Sequence, residues 1–78
     1  LEVEPPTYCV VLLAEGPNRL AVMQTLRALR PGLSLATAKA LVDSAPQAVL
    51  WDVRHYDLHR VQVRLRATGG AFEFRRST

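Results

Sequence analysis

Four breaks cut this chain into pieces too short for anything but a small mixed fold: Gly16-Pro17-Asn18, Arg30-Pro31-Gly32, Pro46 and Gly69-Gly70. Proline cannot continue a helical hydrogen-bond ladder, and it disfavours helix at the residue before it. Glycine reaches backbone conformations that other residues avoid. Between the breaks, the apolar pattern decides each element. Tyr8 to Ala14 is rich in β-formers and too short for a good helix, so it reads as a strand. Asn18 is placed to cap a helix running from Arg19 to about Leu29. Ser34 is placed to cap a second helix, Leu35 to Ser44, which Pro46 closes. Its partner three residues on is Thr37, so the acid of a full capping box is missing. Gln47 to Val53 alternates Val49, Trp51 and Val53 in the manner of a strand. A third helix is predicted from about His55 to Ala67, ending at Gly69-Gly70. Ala71 to Arg75 completes the chain as a strand, with Phe72 and Phe74 on one face.

The predicted order is β-α-α-β-α-β with no internal repeat. It implies an α+β, two-layer sandwich, three helices covering one face of a three-stranded antiparallel sheet. Leu1 to Pro6, with a Pro-Pro pair and two acids, reads as the end of a linker. The domain then spans residues 7–76, and residues 77–78 are a tail. The expected core is Val10, Leu12, Val22, Leu26, Leu29, Leu35, Ala38, Leu41, Val42, Val49, Val53, Leu58, Val61, Leu65, Phe72 and Phe74.

Several function classes are disfavoured by what the chain carries. A single cysteine, Cys9, excludes an internal disulfide framework. His55 and His59 stand four apart, but no third metal ligand is evident. No apolar run approaches the roughly 20 residues of a membrane span. Asp57 and His59, two apart, point away from each other on a helix, and no phosphate-binding glycine loop is present. A non-enzymatic protein without cofactor or metal is therefore expected. The net charge is +3, carried by nine arginines and one lysine against seven acids. That balance suits a ribosomal or nucleic-acid setting without demanding one. Arg60, Arg64, Arg66, Arg75 and Arg76 read as a solvated rim, with a contact to RNA left open.

The first helix has two apolar faces. At about 100° per residue, Val22, Leu26 and Leu29 form one stripe, which suits the core. Leu20, Met23, Gln24 and Arg27 gather on the other side, where a solvated helix would carry charge throughout. Two large aliphatics flanked by Arg19 and Arg27 have the composition of a docking surface.

The Gly-Pro-Asn-Arg helix start at Gly16 to Arg19, followed by Leu35-Ala36-Thr37-Ala38-Lys39-Ala40-Leu41-Val42-Asp43-Ser44-Ala45-Pro46, resembles the C-terminal domain of the large-subunit ribosomal stalk protein of bacteria and organelles, the L7/L12 family. The resemblance covers Thr7 to Arg75. It implies the stalk-domain fold, whose topology is shared with the ClpS protease adaptor, and a location on the ribosome, in a bacterial cytoplasm or a mitochondrial matrix. It also implies a surface that recruits translational GTPases, the elongation and initiation factors. Arg19 matches the family's basic residue at the helix start, Leu20 and Met23 its exposed aliphatic pair, Arg27 its characteristic arginine, and Lys39 a lysine of the second helix. Gln24 stands where the family usually has lysine, and Thr37 where it has glutamate, so the recruiting surface has lost charge.

A second set of apolar residues departs from the expectation for a free domain. Val11 and Leu13, with Cys9, alternate on the strand face opposite Val10 and Leu12, so the strand is apolar on both sides. Leu50 and Trp51 occupy positions where the family tends to place charge. Tyr56 and Val63, with Ala67, fall on the side of the third helix away from Leu58, Val61 and Leu65. Together they mark a candidate second interface, against other large-subunit proteins or rRNA. The leading expectation is thus a factor-binding ribosomal module. The alternatives are a stalk-like domain fixed structurally in a divergent, mitochondrial ribosome or assembly particle, and a peptide-binding adaptor.

Overall fold

The computed structural model of the chain describes residues 5–77. The linker reading of residues 1–4 and the last residue of the tail lie outside the described residues. The elements run β1 (Thr7–Ala14), α1 (Arg19–Leu29), α2 (Leu35–Asp43), β2 (Gln47–Arg54), α3 (Leu58–Arg66) and β3 (Ala71–Arg76). The strands form one antiparallel sheet in the order β2-β1-β3, giving the α+β architecture expected. The helices pack on the face of β1 that carries Val10 and Leu12, both fully buried. Val22 and Leu26 of α1, Val42 of α2, Val49 of β2 and Leu65 of α3 complete the sealed centre.

The helix starts follow the predicted capping chemistry. The Asn18 side chain accepts from the Ala21 N–H at 3.1 Å, and Ser34 Oγ accepts from the Thr37 N–H at 3.1 Å. Each satisfies one of the donors left free in a first helical turn. Ser34 Oγ also lies 2.9 Å from Thr37 Oγ1, a contact between hydroxyls that does not reach the Ser34 N–H as the acid of a capping box would. The third helix starts later than expected. His55 to Asp57 form a turn, in which the Asp57 N–H donates to the Arg54 carbonyl at 2.9 Å. His55 therefore stands outside α3, and the two histidines do not share a helix face.

The turns before α1 and after α3 lock together. Gly16 has φ +69°, and a Cβ there would lie 2.4 Å from the Gly69 carbonyl oxygen. Only glycine permits both the left-handed backbone and that approach. Gly69, at φ +81°, follows α3 as the sequence predicts. Thr68, the one buried polar side chain of the described residues, donates to the Leu65 carbonyl at 2.6 Å and accepts from the Gly70 N–H at 3.2 Å.

Strand β2 breaks the expected alternation. Between Tyr8 and Val10 on β1, the partners on β2 run from Val53 to Leu50, one residue more than a regular ladder allows. Asp52 within this stretch has φ +56°, and a second register shift follows at Ala48. A bulge of this kind changes which side chains face the core. Val49 and Leu50 are both buried as a result, whereas Trp51 and Asp52 are both exposed. This corrects the placement of Leu50 in a second interface: it is a core residue. Trp51 is half exposed and does not alternate with Val49 and Val53.

Two further core expectations change. Leu35, expected inside, is 52% exposed at the open start of α2. Leu33 takes the buried position instead. The Arg30–Gly32 turn folds it back, with its N–H donating to the Arg30 carbonyl at 3.1 Å and its carbonyl accepting from Arg27 Nε at 3.2 Å.

Candidate docking face

Helix α1 presents the expected face, less one residue. Leu20 is 57% exposed, and Gln24 and Arg27 are exposed with it. Met23, expected beside Leu20 on the open stripe, is buried with Leu33, Ala38 and Val42 in the core cluster. The reason is the second helix. The stripe opposite Val22 and Leu26 is free only on an isolated α1, and the α1–α2 pair covers the part that carries Met23. The aliphatic pair is thus reduced to one exposed anchor, with Met23 packed behind it.

The charged residues are brought together by a group that the sequence reading passed over. Asp43, at the end of α2, accepts a hydrogen bond from Arg19 through Oδ1 and lies 3.6 Å from Lys39 Nζ through Oδ2. Glu15 sits on the other side of Arg19, 3.3 Å from Nη1. Two cations of the candidate face, from two different helices, are therefore joined by one carboxylate and flanked by another. The i,i+4 spacings Glu15–Arg19 and Lys39–Asp43 were the signal available in the sequence. The link between Arg19 and Asp43, 24 residues apart, required the fold.

Arg27 has no ion pair among the described residues. Its guanidinium donates to a backbone carbonyl and to no carboxylate among the described residues. Gln24 lines a shallow groove with Thr25, Ala28, Arg64 and Ala67, so it borders the face on the α3 side, away from α2. Leu13 joins the face unexpectedly. It is 44% exposed and lines a depression with Arg19, Val42 and Asp43.

The remaining residues of the candidate second interface do not converge on one surface. Val11 is half buried on the outer side of the sheet, opposite Glu73 of β3. Glu73 and Arg75 pair at 2.9 Å there, and the Arg75 hydrogen bond holds the Glu73 carboxyl below its usual range. Tyr56, 73% exposed, makes an edge contact with His55 in the turn before α3. Val63 is exposed on α3 itself, and Trp51 stands in a separate cleft. Among the described residues no group of three or more metal-ligating side chains occurs, and no helix is long and apolar enough to cross a membrane.

Comparison with known proteins gives one consistent result. The family model for the ribosomal protein L7/L12 C-terminal domain matches residues 8–75. The large ribosomal subunit protein bL12 of Bifidobacterium longum (strain DJO10A) is 36% identical over 74 residues, covering 95% of this chain and 58% of the relative. The bL12 proteins of Borrelia duttonii (strain Ly) and Desulfatibacillum aliphaticivorans are 36% and 34% identical, over 92% and 95% of the chain. The chain spans 58% of the length of each of these relatives.

Proposed function

Since the chain belongs to the ribosomal protein L7/L12 C-terminal domain family, we propose that it is a protein-docking module of the large ribosomal subunit which engages translational GTPases through the α1–α2 face. The observation that carries this reading is Leu20. It is more than half exposed on a helix where Val22, Met23 and Leu26 are buried and Leu29 is partly buried against the core. An isolated exposed leucine is unremarkable. One that shares its helix with Arg19 and Arg27, with Lys39 of α2 joined to Arg19 through Asp43, has the make-up of an apolar anchor with a basic rim.

The division of labour follows from the geometry. Leu20 supplies the surface that loses water on contact, and Leu13 adds apolar area in the depression beside Arg19. Arg27 is the uncompensated charge that speeds encounter with an acidic factor. Arg19 and Lys39 already share Asp43, so they contribute less attraction until that carboxylate is displaced. With neutral Gln24 at the α3 border of the face and neutral Thr37 on α2, docking is weaker and less salt-sensitive than a fully basic surface would give. GTP hydrolysis belongs to the factor, and the module's contribution is to raise the factor's local concentration at the subunit.

Titration of the chain with a GTP-bound elongation factor tests this. Burying half a leucine contributes about 1 to 2 kcal/mol, so Leu20→Ala should weaken binding by about 5- to 30-fold. Arg27→Glu should weaken it further at low salt. Unchanged affinity in both variants would remove the α1–α2 face from the reading.

A further inference from the structure

The bulge in β2 builds a second site on the opposite side of α1. Trp51 and the strained Asp52 stand at the rim of a cleft of about 360 Å³, between the end of α1, the bulge and the start of α3. Its polar lining is Arg30, Asp52, Arg54, Asp57 and Arg60. The Arg30 guanidinium lies over the indole of Trp51, 5.2 Å from the ring centroid, while the indole remains 50% exposed. Arg60 lies 3.4 Å from Asp57 and so neutralises one of the two acids. Arg30 and Arg54 have no ion pair among the described residues.

We propose that this cleft binds a nucleotide, with the base stacked on Trp51 and the phosphate held by Arg54. Three features select that chemistry over a purely apolar occupant. The volume lies at the low end of small-molecule sites. An exposed indole beside guanidinium groups is the combination that holds single-stranded nucleic acid, through stacking and cation–π contact. Three guanidiniums against two carboxylates leave the cleft positive, which favours a phosphate. The backbone strain at Asp52 fits the same picture, since bulges re-aim side chains next to functional sites. Asp52 then offers an acceptor for an exocyclic amine of the base.

The shared chemistry is the nucleoside phosphate, either free or as one unit of a single strand. Trp51 is the only tryptophan of the chain, so its fluorescence reports on this cleft alone. The 78-residue chain is titrated with adenosine monophosphate, with a 12-nucleotide adenylate strand, and with a 12-residue glutamate peptide. Saturable quenching by the monophosphate and the strand supports a site for the free nucleotide, and quenching by the strand alone supports a site for RNA. Arg54→Glu should weaken either response by at least about tenfold, without moving the unfolding midpoint, because Arg54 is exposed at a strand end. Trp51→Ala, followed through the anisotropy of a labelled strand, should also lose about tenfold. Leu20→Ala should leave the titration unchanged, so this site stands or falls separately from factor docking. No saturable quenching by either nucleotide, or equal quenching by the glutamate peptide, would overturn the proposal. The latter result would assign the cleft to an acidic protein partner.

Discussion

Replacing Asp43 with asparagine should strengthen the docking face, although it removes two ion pairs. Asp43 lies 3.6 Å from Lys39 Nζ and bonds Arg19 directly. At that separation, two unit charges in water attract by about 1 kcal/mol. The side chains involved are 37% to 63% exposed, and exposed pairs of this kind contribute about 0 to 1 kcal/mol net. Asp43→Asn should therefore destabilise the fold by at most about 1 kcal/mol, a fall in melting temperature of no more than about 4–8 °C. Binding changes in the opposite direction. A carboxylate of an acidic partner no longer competes with Asp43 for Arg19 and Lys39, and is no longer repelled by it. After screening, about 1 kcal/mol is a reasonable net gain, or about fivefold in affinity, mostly through faster association. The assay is stopped-flow association with a GTP-bound elongation factor at low and at physiological salt. The gain should shrink at 0.15 M, where the Debye length is about 8 Å. Weaker or unchanged association at low salt, in a folded variant, would refute the view that Asp43 shields this face.

Three further outcomes follow from the fold. Gly32→Ala should cost about 1 kcal/mol, because φ +93° is unfavourable for alanine while nothing lies within 4 Å of the new Cβ. Gly16→Ala adds a 2.4 Å collision with the Gly69 backbone and should cost about 3 kcal/mol or more. Paired denaturant titrations that show equal losses would refute the locking of the two turns. Leu50→Ala should cost about 2 to 4 kcal/mol, as a buried leucine does, whereas its half-exposed neighbour Trp51→Ala should cost less, about 1 to 2 kcal/mol. The reverse order in thermal melts would contradict the bulge. Finally, Glu73 has a depressed pKa in the folded state, held down by Arg75. Its small contribution is present above the ordinary glutamate value of about 4.5 and is lost as pH falls through the folded value, so Glu73→Gln should flatten the acid limb of the stability curve. An unchanged acid limb would show that the pair does not contribute.

What the sequence disclosed depended on whether the signal was local. The bounds of α1 could be read because Asn18 and Pro31 act on their immediate neighbours, and the caps at Asn18 and Ser34 formed as their chemistry requires. The order of elements and the central core followed from the same punctuation. Met23 was misplaced because its exposure depends on where α2 lies, which no periodicity within α1 encodes. Leu50 was misplaced because the bulge turns on a left-handed Asp52, and aspartate there gives no glycine-like warning. Leu33 and Leu35 exchanged roles for a related reason. A turn that folds back can bury a residue the helical pattern leaves out. On the docking face, Arg19, Leu20, Arg27 and Lys39 were legible as residue types, but the carboxylate that joins Arg19 to Lys39 became visible only with the fold.

The central claim is that factor docking uses the α1–α2 face, anchored at Leu20. Amide chemical-shift mapping tests it most directly, with the isotope-labelled chain titrated by an unlabelled GTP-bound elongation factor. Shifts or broadening should gather at Arg19 to Arg27 and around Lys39 and Asp43, leaving β3 and the Trp51 cleft unmoved. Changes confined to Trp51, Tyr56 and Val63, or no changes at a saturating factor concentration, would contradict it.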